Sequence, residues 1–139
     1  MKQLFFLILL IITSITNAQS IIGEWETFDD KTKEKKSIVE IYKEGDTYFG
    51  KILETFTGET NEVCNQCIGE KYNQPIIGLV IIENLIQDVD EYNSGSILDP
   101  ENGETYKCYL ELETNNKLKV RGFIGVSLFG RTQYWTRKQ

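Results

Sequence analysis

Two runs of alternating side chains near the C-terminus constrain this chain more than anything else in it. From Tyr106 to Glu113, the residues Tyr106, Cys108, Leu110 and Leu112 alternate with Lys107, Tyr109, Glu111 and Glu113. From Lys117 to Ile124, the residues Leu118, Val120, Gly122 and Ile124 alternate with Lys117, Lys119, Arg121 and Phe123. A period of 2 marks a strand with one dry face and one wet face. The loop between the runs has to keep both dry faces on one side. A two-residue loop pairs Leu112 with Lys119 and puts the faces out of step. A three-residue loop, Thr114-Asn115-Asn116, pairs Leu112 with Leu118, Leu110 with Val120 and Cys108 with Gly122. It also sets Glu111 against Lys119 and Glu113 against Lys117. Such a loop ends on a left-handed residue, which Asn116 tolerates. Lys117, Lys119 and Arg121 are therefore expected on a solvated outer face with acidic cross-strand partners, not in a nucleic-acid interface.

The rest of the chain reads in the same way. Asp99-Pro100-Glu101-Asn102-Gly103 is a turn: Pro100 presets φ and Asn102-Gly103 supplies a positive φ. Its four-residue loop pairs Ile97 with Tyr106. A further strand is expected at Arg131 to Lys138. Upstream, Ile21 to Phe28, Ser37 to Lys43 and Thr47 to Phe56 read as strands, the last two joined at Glu44-Gly45-Asp46. Thr57 to Gln74 has no periodicity, and Asp88 to Ser94 reads as a polar connector. Ile76 to Ile82, continued by Leu85-Ile86, fits either a buried strand or a short helix by length, and its β-branching favours a strand. The sum is about eight strands joined mostly by short turns, which argues a closed antiparallel barrel or a sandwich.

Met1 to Ala18 carries Lys2, an apolar run from Leu4 to Ile12 and a small-x-small ending, Thr16-Asn17-Ala18, the pattern of a secretory signal peptide. The run is shorter than the roughly 20 residues a bilayer span needs, so no stable membrane anchor is expected. Cleavage near Ala18 leaves residues 19–139 as one domain in a periplasmic or secreted setting. The formal charge is −6, and loss of Lys2 with the leader makes the remainder more acidic. That disfavours nucleic acid and anionic surfaces as partners. There is no histidine. No Ser-His or Cys-His nucleophile pair can be built, and the commonest zinc ligand is missing. The three cysteines, Cys64, Cys67 and Cys108, fall short of a four-ligand zinc site. No metal and no cofactor is expected. Export implies an oxidising compartment. Cys64–Cys67 is the preferred bridge, because Cys108 sits on a dry strand face opposite Gly122; Cys67–Cys108 competes with it.

Two sets of residues carry a resemblance. Gly23-x-Trp25 at the first strand, with an arginine near the end of the last, resembles the lipocalins and the wider calycin barrels. That likeness implies a tryptophan closing the barrel floor with Arg131 or Arg137 packed across it. More specific is the spaced set Gly23-x-Trp25, Ile41-Tyr42, Tyr48-x-Gly50-Lys51-Ile52, Cys64-x-x-Cys67, Pro75-Ile76-x-Gly78-Leu79, Asp99-Pro100-x-Asn102-Gly103-x-Thr105-Tyr106 and Arg121-Gly122-x-x-Gly125-x-Ser127-Leu128-x-Gly130-Arg131-Thr132-x-x-Trp135. Over essentially the whole mature chain it resembles the bacterial exported domain-of-unknown-function family numbered twenty-one forty-seven. The resemblance implies a small exported calycin-like barrel and imports no activity. One departure is visible: where the family carries a tryptophan before the glycine pair, this chain reads Asp90-Glu91-Tyr92-Asn93-Ser94-Gly95.

The expectation is a single all-β domain, an antiparallel up-and-down barrel of about eight strands, a number that leaves room for side chains or one small ligand. Cys64-x-x-Cys67 reads as a structural staple, since nothing predicts the helix a redox dithiol needs. Gly122, Gly125 and Gly130 read as bends and close approaches at a barrel corner. Phe123, Leu128 and Phe129 around them form an apolar lip at a pocket mouth. Tyr42 and Tyr48, with Glu40 and Glu54, give a polar interior where they point inward. Arg131 is placed to meet a ligand carboxylate, while Trp135 and Arg137 close the structure against Trp25. The expected role is noncatalytic binding of a small apolar or amphipathic molecule. The alternative is a protein-interaction module of the cell envelope.

Overall fold

The computed structural model describes residues 19–58 and 61–139; the segment 1–18, read above as a signal peptide, lies outside the described residues. Eight strands form one closed antiparallel barrel in chain order: β1 (Gly23–Phe28), β2 (Lys35–Glu44), β3 (Thr47–Thr55), β4 (Val80–Asp88), β5 (Glu91–Asp99), β6 (Glu104–Thr114), β7 (Lys117–Phe123) and β8 (Gly130–Arg137). Each strand pairs with its sequence neighbour, and β1 closes on β8 through Trp25↔Arg137 and Glu26↔Thr136. The up-and-down barrel read from the sequence is the fold, and it has no sandwich edge to protect.

The period-2 pattern produces the registers it calls for. Leu112 faces Leu118, Leu110 faces Val120, Cys108 faces Gly122 and Glu111 faces Lys119. Ile97 faces Tyr106 across the four-residue turn that precedes β6. One detail differs. Asn116 is not among the residues with positive φ. The register instead shifts between Leu112 and Thr114, a bulge that absorbs the odd residue inside the strand. Lys117 Nζ still lies 3.6 Å from a Glu113 carboxylate oxygen and 4.5 Å from the centre of the Tyr134 ring. The basic run is a solvated outer face.

Two boundaries also differ from the sequence reading. The apolar stretch Ile76–Leu79 precedes β4, which starts at Val80. Most of the polar segment Asp88–Ser94 is strand, turning at Val89-Asp90, where Val89 adopts φ 57°. β4 and β5 bend together further along, where Asn84 and Ser94 both take positive φ. Gly95 fits inside that bend, since a Cβ there meets the Glu83 carbonyl oxygen.

The core is the barrel axis. Trp25, Val39, Ile41, Ile82, Leu85, Leu110 and Leu118 are fully buried on it. Cys108 points inward on β6 with Gly95 and Gly122 as its cross-strand neighbours, and it is buried. Burial pushes this thiol up from an ordinary 9.0 to about 12. The folded state therefore keeps a proton that the unfolded chain releases. Stability is full below pH 9.0 and falls toward pH 12 as the unfolded thiol ionises, by about 1.4 kcal/mol per pH unit. Tyr42 and Tyr92, whose phenols are also raised by burial, act in the same direction higher in the range. Urea melts between about pH 8 and 11 are expected to show this decline, flattened in Cys108→Ala. A Cys108→Ala slope equal to that of the parent assigns the alkaline loss elsewhere.

Candidate functional site: a one-ended cavity in the barrel

The two ends of the barrel differ. At one end, Trp25 is fully buried and donates its indole N–H to the Ile21 carbonyl at 2.8 Å. The Arg137 guanidinium lies over the Trp25 ring at 4.3 Å. It donates from Nη2 to the Ser20 carbonyl (2.8 Å), from Nη1 to the Ile22 carbonyl (3.0 Å) and from Nε to the Asn115 carbonyl (2.7 Å). One arginine thus ties the chain before β1, the β6–β7 turn and the last strand across a single plug. Tyr48 and Tyr92 meet edge-to-face at 4.9 Å and fill the adjoining side.

The other end is open. A cavity of about 580 Å³ enters the barrel there. Its floor is Val39, Ile52 and Trp135, and its walls have different chemistry. Along β1, β2 and β3 it meets Thr27, Ser37 and Thr55, with Gln133 and Arg131 from the adjacent β8. The facing side is Ile81, Ile97, Val120 and the loop residue Ile76. Thr27 and Ser37 are 6% and 8% exposed, and their hydroxyl oxygens lie 2.7 Å apart. The rim carries Lys36, bonded to Glu101 at 2.9 Å, and Arg131, bonded to Asp30 at 3.0 Å. Asp30 also accepts from the Gln133 amide at 3.2 Å.

The segment between β3 and β4 forms one side of this mouth. Cys64 and Cys67 are joined in a disulfide, and Cys108 is free and buried. The loop is closed on itself by Cys64 N–H to Gln74 (2.8 Å) and Asn73 N–H to Cys64 (2.9 Å). It leans on the β5–β6 turn, where Cys64 Sγ rests 3.7 Å from the Pro100 carbonyl. Gly103 in that turn has φ 74°, and a Cβ there runs into the Gln66 carbonyl. Lys71 anchors the far side to β4 through the Val80 carbonyl and Glu83, both at 3.0 Å.

The family model described as "Uncharacterized protein conserved in bacteria (DUF2147)" matches residues 23–137. The chain belongs to this family. The matched span is the whole barrel, from the first residue of β1 to the last of β8, and it contains both Trp25 and Arg137. Among solved structures, the chain is similar to protein HP1028 from the human pathogen Helicobacter pylori, described as belonging to the lipocalin family. The TM-score is 0.78 at 18% identity, over 88% of this chain and 85% of that one. This likeness shows the fold, a lipocalin-like barrel. Among curated proteins, no relative matches the sequence.

The residues singled out from the sequence fall in different places. Arg137, not Arg131, packs on Trp25; Trp135 is the cavity floor. Tyr42 is on the outer face, stacked on Phe49 at 5.8 Å with Lys51 over its ring. Glu40 is outside as well, 3.8 Å from Lys51, and Glu54 is exposed. Only Tyr48 of that set points inward, and it belongs to the plugged end, where it donates to Gln87 at 3.3 Å. Strand alternation decides this: Ile41, Val39 and Ile52 hold the inner face, so their neighbours cannot. Phe123 reaches only the rim, its ring leaning on Tyr109 at 6.3 Å on the outside.

Phe129 and Ile124 touch the cavity mouth, while Leu128 points away and is 78% exposed. Arg121 holds this loop from below, donating to Ser127 O (2.8 Å), Leu128 O (3.4 Å) and Thr132 Oγ1 (2.8 Å). Of the three glycines, Gly125 has φ 72°, and Gly130 passes so close to the Gly122 carbonyl that a Cβ has no room. Gly122 has neither constraint. A Cβ there meets Ile97 Cγ2 at 3.5 Å and Tyr106 Cβ at 3.7 Å, ordinary contacts, and faces the cavity. Its missing side chain is lumen volume.

The polar inner wall was not anticipated. Thr27, Ser37 and Thr55 carry a readable signal: Ser37 sits on the same alternation as Val39 and Ile41, so a small polar residue occupies a core-facing position.

Proposed function

We propose that this chain is an exported, noncatalytic binding protein that holds one small apolar or amphipathic molecule inside its barrel. The observation that carries the reading is the asymmetry of the lumen: plugged at Trp25, open over about 580 Å³ at the other end. Ligand pockets run from about 300 to 1,000 Å³ and are largely apolar with few polar groups. Eight-stranded barrels are the size that holds either packed side chains or one small ligand. The noncatalytic part is supported by the lack of any histidine and by a free thiol held protonated inside the core. Export is supported by the leader pattern at Met1–Ala18 and by a disulfide joining Cys64 and Cys67.

Native mass spectrometry on protein purified from its own exported compartment tests this. A bound small molecule, released on denaturation and rebinding to the stripped protein, is the expected result. Preparations that are always empty, and that take up no apolar dye, overturn it.

A second reading, interaction with an envelope protein, is favoured by the Arg121-held loop, which presents Leu128 and Phe129 at 78% and 68% exposure. Under it, Leu128→Asp abolishes association with that partner while the barrel and its ligand affinity are unchanged.

A further inference from the structure

The cavity has two kinds of polar group, and they are at different depths. The deeper kind is uncharged. Thr27 and Ser37 are cross-strand neighbours on β1 and β2, and Ser37 faces Thr55 on β3. Each hydroxyl has one donor and two acceptor sites. The 2.7 Å contact between Thr27 and Ser37 uses one donor and one acceptor. One O–H and three lone pairs of this buried pair are left for a guest.

The shallower kind is charged, and its cations are already engaged. The lining charges are Lys36 and Arg131 against Glu62, Asp99 and Glu101. Each of these is exposed or half-buried, whereas Thr27 and Ser37 are buried. Lys36 is bonded to Glu101 and Arg131 to Asp30. Glu62 and Asp99 make no ion pair among the described residues. An entering carboxylate meets cations whose charge Glu101 and Asp30 already offset, on a rim with more acids than bases. An ionised group carried past that rim finds hydroxyls and no counter-charge, which costs far more than placing a neutral polar group there.

We propose that the cavity selects an amphiphile whose polar end is an uncharged hydroxyl-bearing group, an alcohol or glycerol monoester, over a carboxylate with the same tail. This rests on the ligand-binding reading above and names the chemistry of its guest. The Thr27–Ser37 pair receives the hydroxyls, and the Ile81, Ile97 and Val120 wall receives the tail.

The experiment is a titration with three probes that share a twelve-carbon tail: monolauroylglycerol, laurate and lauryltrimethylammonium, each below its micelle concentration. Trp135 lies in the cavity floor and its emission reports occupancy. The monoester is expected to bind about tenfold more tightly than laurate, the scale of one well-made hydrogen bond. In the double variant Thr27→Val/Ser37→Ala that ratio is expected to fall close to unity, with laurate affinity unchanged. Removing both partners together leaves no orphaned hydroxyl, so the barrel persists, and a thermal melt checks this. Equal or tighter binding of laurate or of the quaternary ammonium by the parent overturns the proposal and leaves ligand binding standing. A preference that survives in the folded double variant overturns it too. Failure of all three probes to bind overturns this proposal and counts against the ligand-binding reading with it.

Discussion

Replacing Trp25 by alanine is expected to lower stability by about 3–5 kcal/mol, the range for removing a large aromatic from a packed core. Three losses coincide. The indole is fully buried, so its apolar surface is forfeited and a void is left. Its N–H no longer satisfies the Ile21 carbonyl. Arg137 loses the ring beneath it, although its three bonds to backbone carbonyls remain. Trp25→Phe keeps an aromatic face under Arg137 and removes the N–H, so the expected cost is smaller, about 1–2 kcal/mol. Urea denaturation of the two variants separates packing from hydrogen bonding. A Trp25→Ala loss under about 1 kcal/mol shows that the plug is not holding the barrel together.

On the ligand-binding proposal, Gly122→Phe is expected to abolish uptake of a ligand without unfolding the protein. Gly122 needs no special φ, and its added Cβ makes only ordinary contacts with Ile97 and Tyr106. The ring then has nowhere to go but the lumen, where it takes space from the 580 Å³ available. A loss of affinity of about a hundredfold or more is expected, the factor that corresponds to roughly 3 kcal/mol of displaced contact. Stability should hold or rise, since the ring fills a void. Gly130→Phe is the contrast: its Cβ strikes the Gly122 carbonyl, so that variant loses the β7–β8 pairing instead. Ligand affinity unchanged in a folded Gly122→Phe places the binding site outside the barrel.

Legibility of this chain in its sequence followed the strength of the local signals. The inner-face register of the β6–β7 hairpin and the turn before it were readable, because Leu110, Leu112, Leu118 and Val120 allow one register only; the bulge that sets Thr114 opposite Lys117 was not. The β4–β5 hairpin was not. Its turn is Val89-Asp90, with no glycine or asparagine to announce a left-handed φ, and the first residues of β5 are mostly polar because their outer face is in water. The paired bends at Asn84 and Ser94 depend on two strands fitting each other, which neither shows alone. In the site, the Trp25 floor was legible as a resemblance, and the choice of Arg137 over Arg131 was not. Both lie on one face of β8, and only the position of Asp30 in space decides which is occupied elsewhere. Tyr42 was misplaced because strands with apolar residues on both faces carry no orientation signal; the stacking with Phe49 accounts for the outer apolar set.

The seam between β1 and β8 has a consequence for how such a molecule matures. The ring is completed by joining its earliest strand to its latest, through Trp25↔Arg137 and Glu26↔Thr136. Every other ladder can zip as soon as the next hairpin exists, but this one waits for the final strand to arrive. Until then two raw edges stay available to other chains, the hazard that closure removes. Closure therefore cannot run ahead of the final strand, and the docking of β8 on β1 is the event that seals the ring.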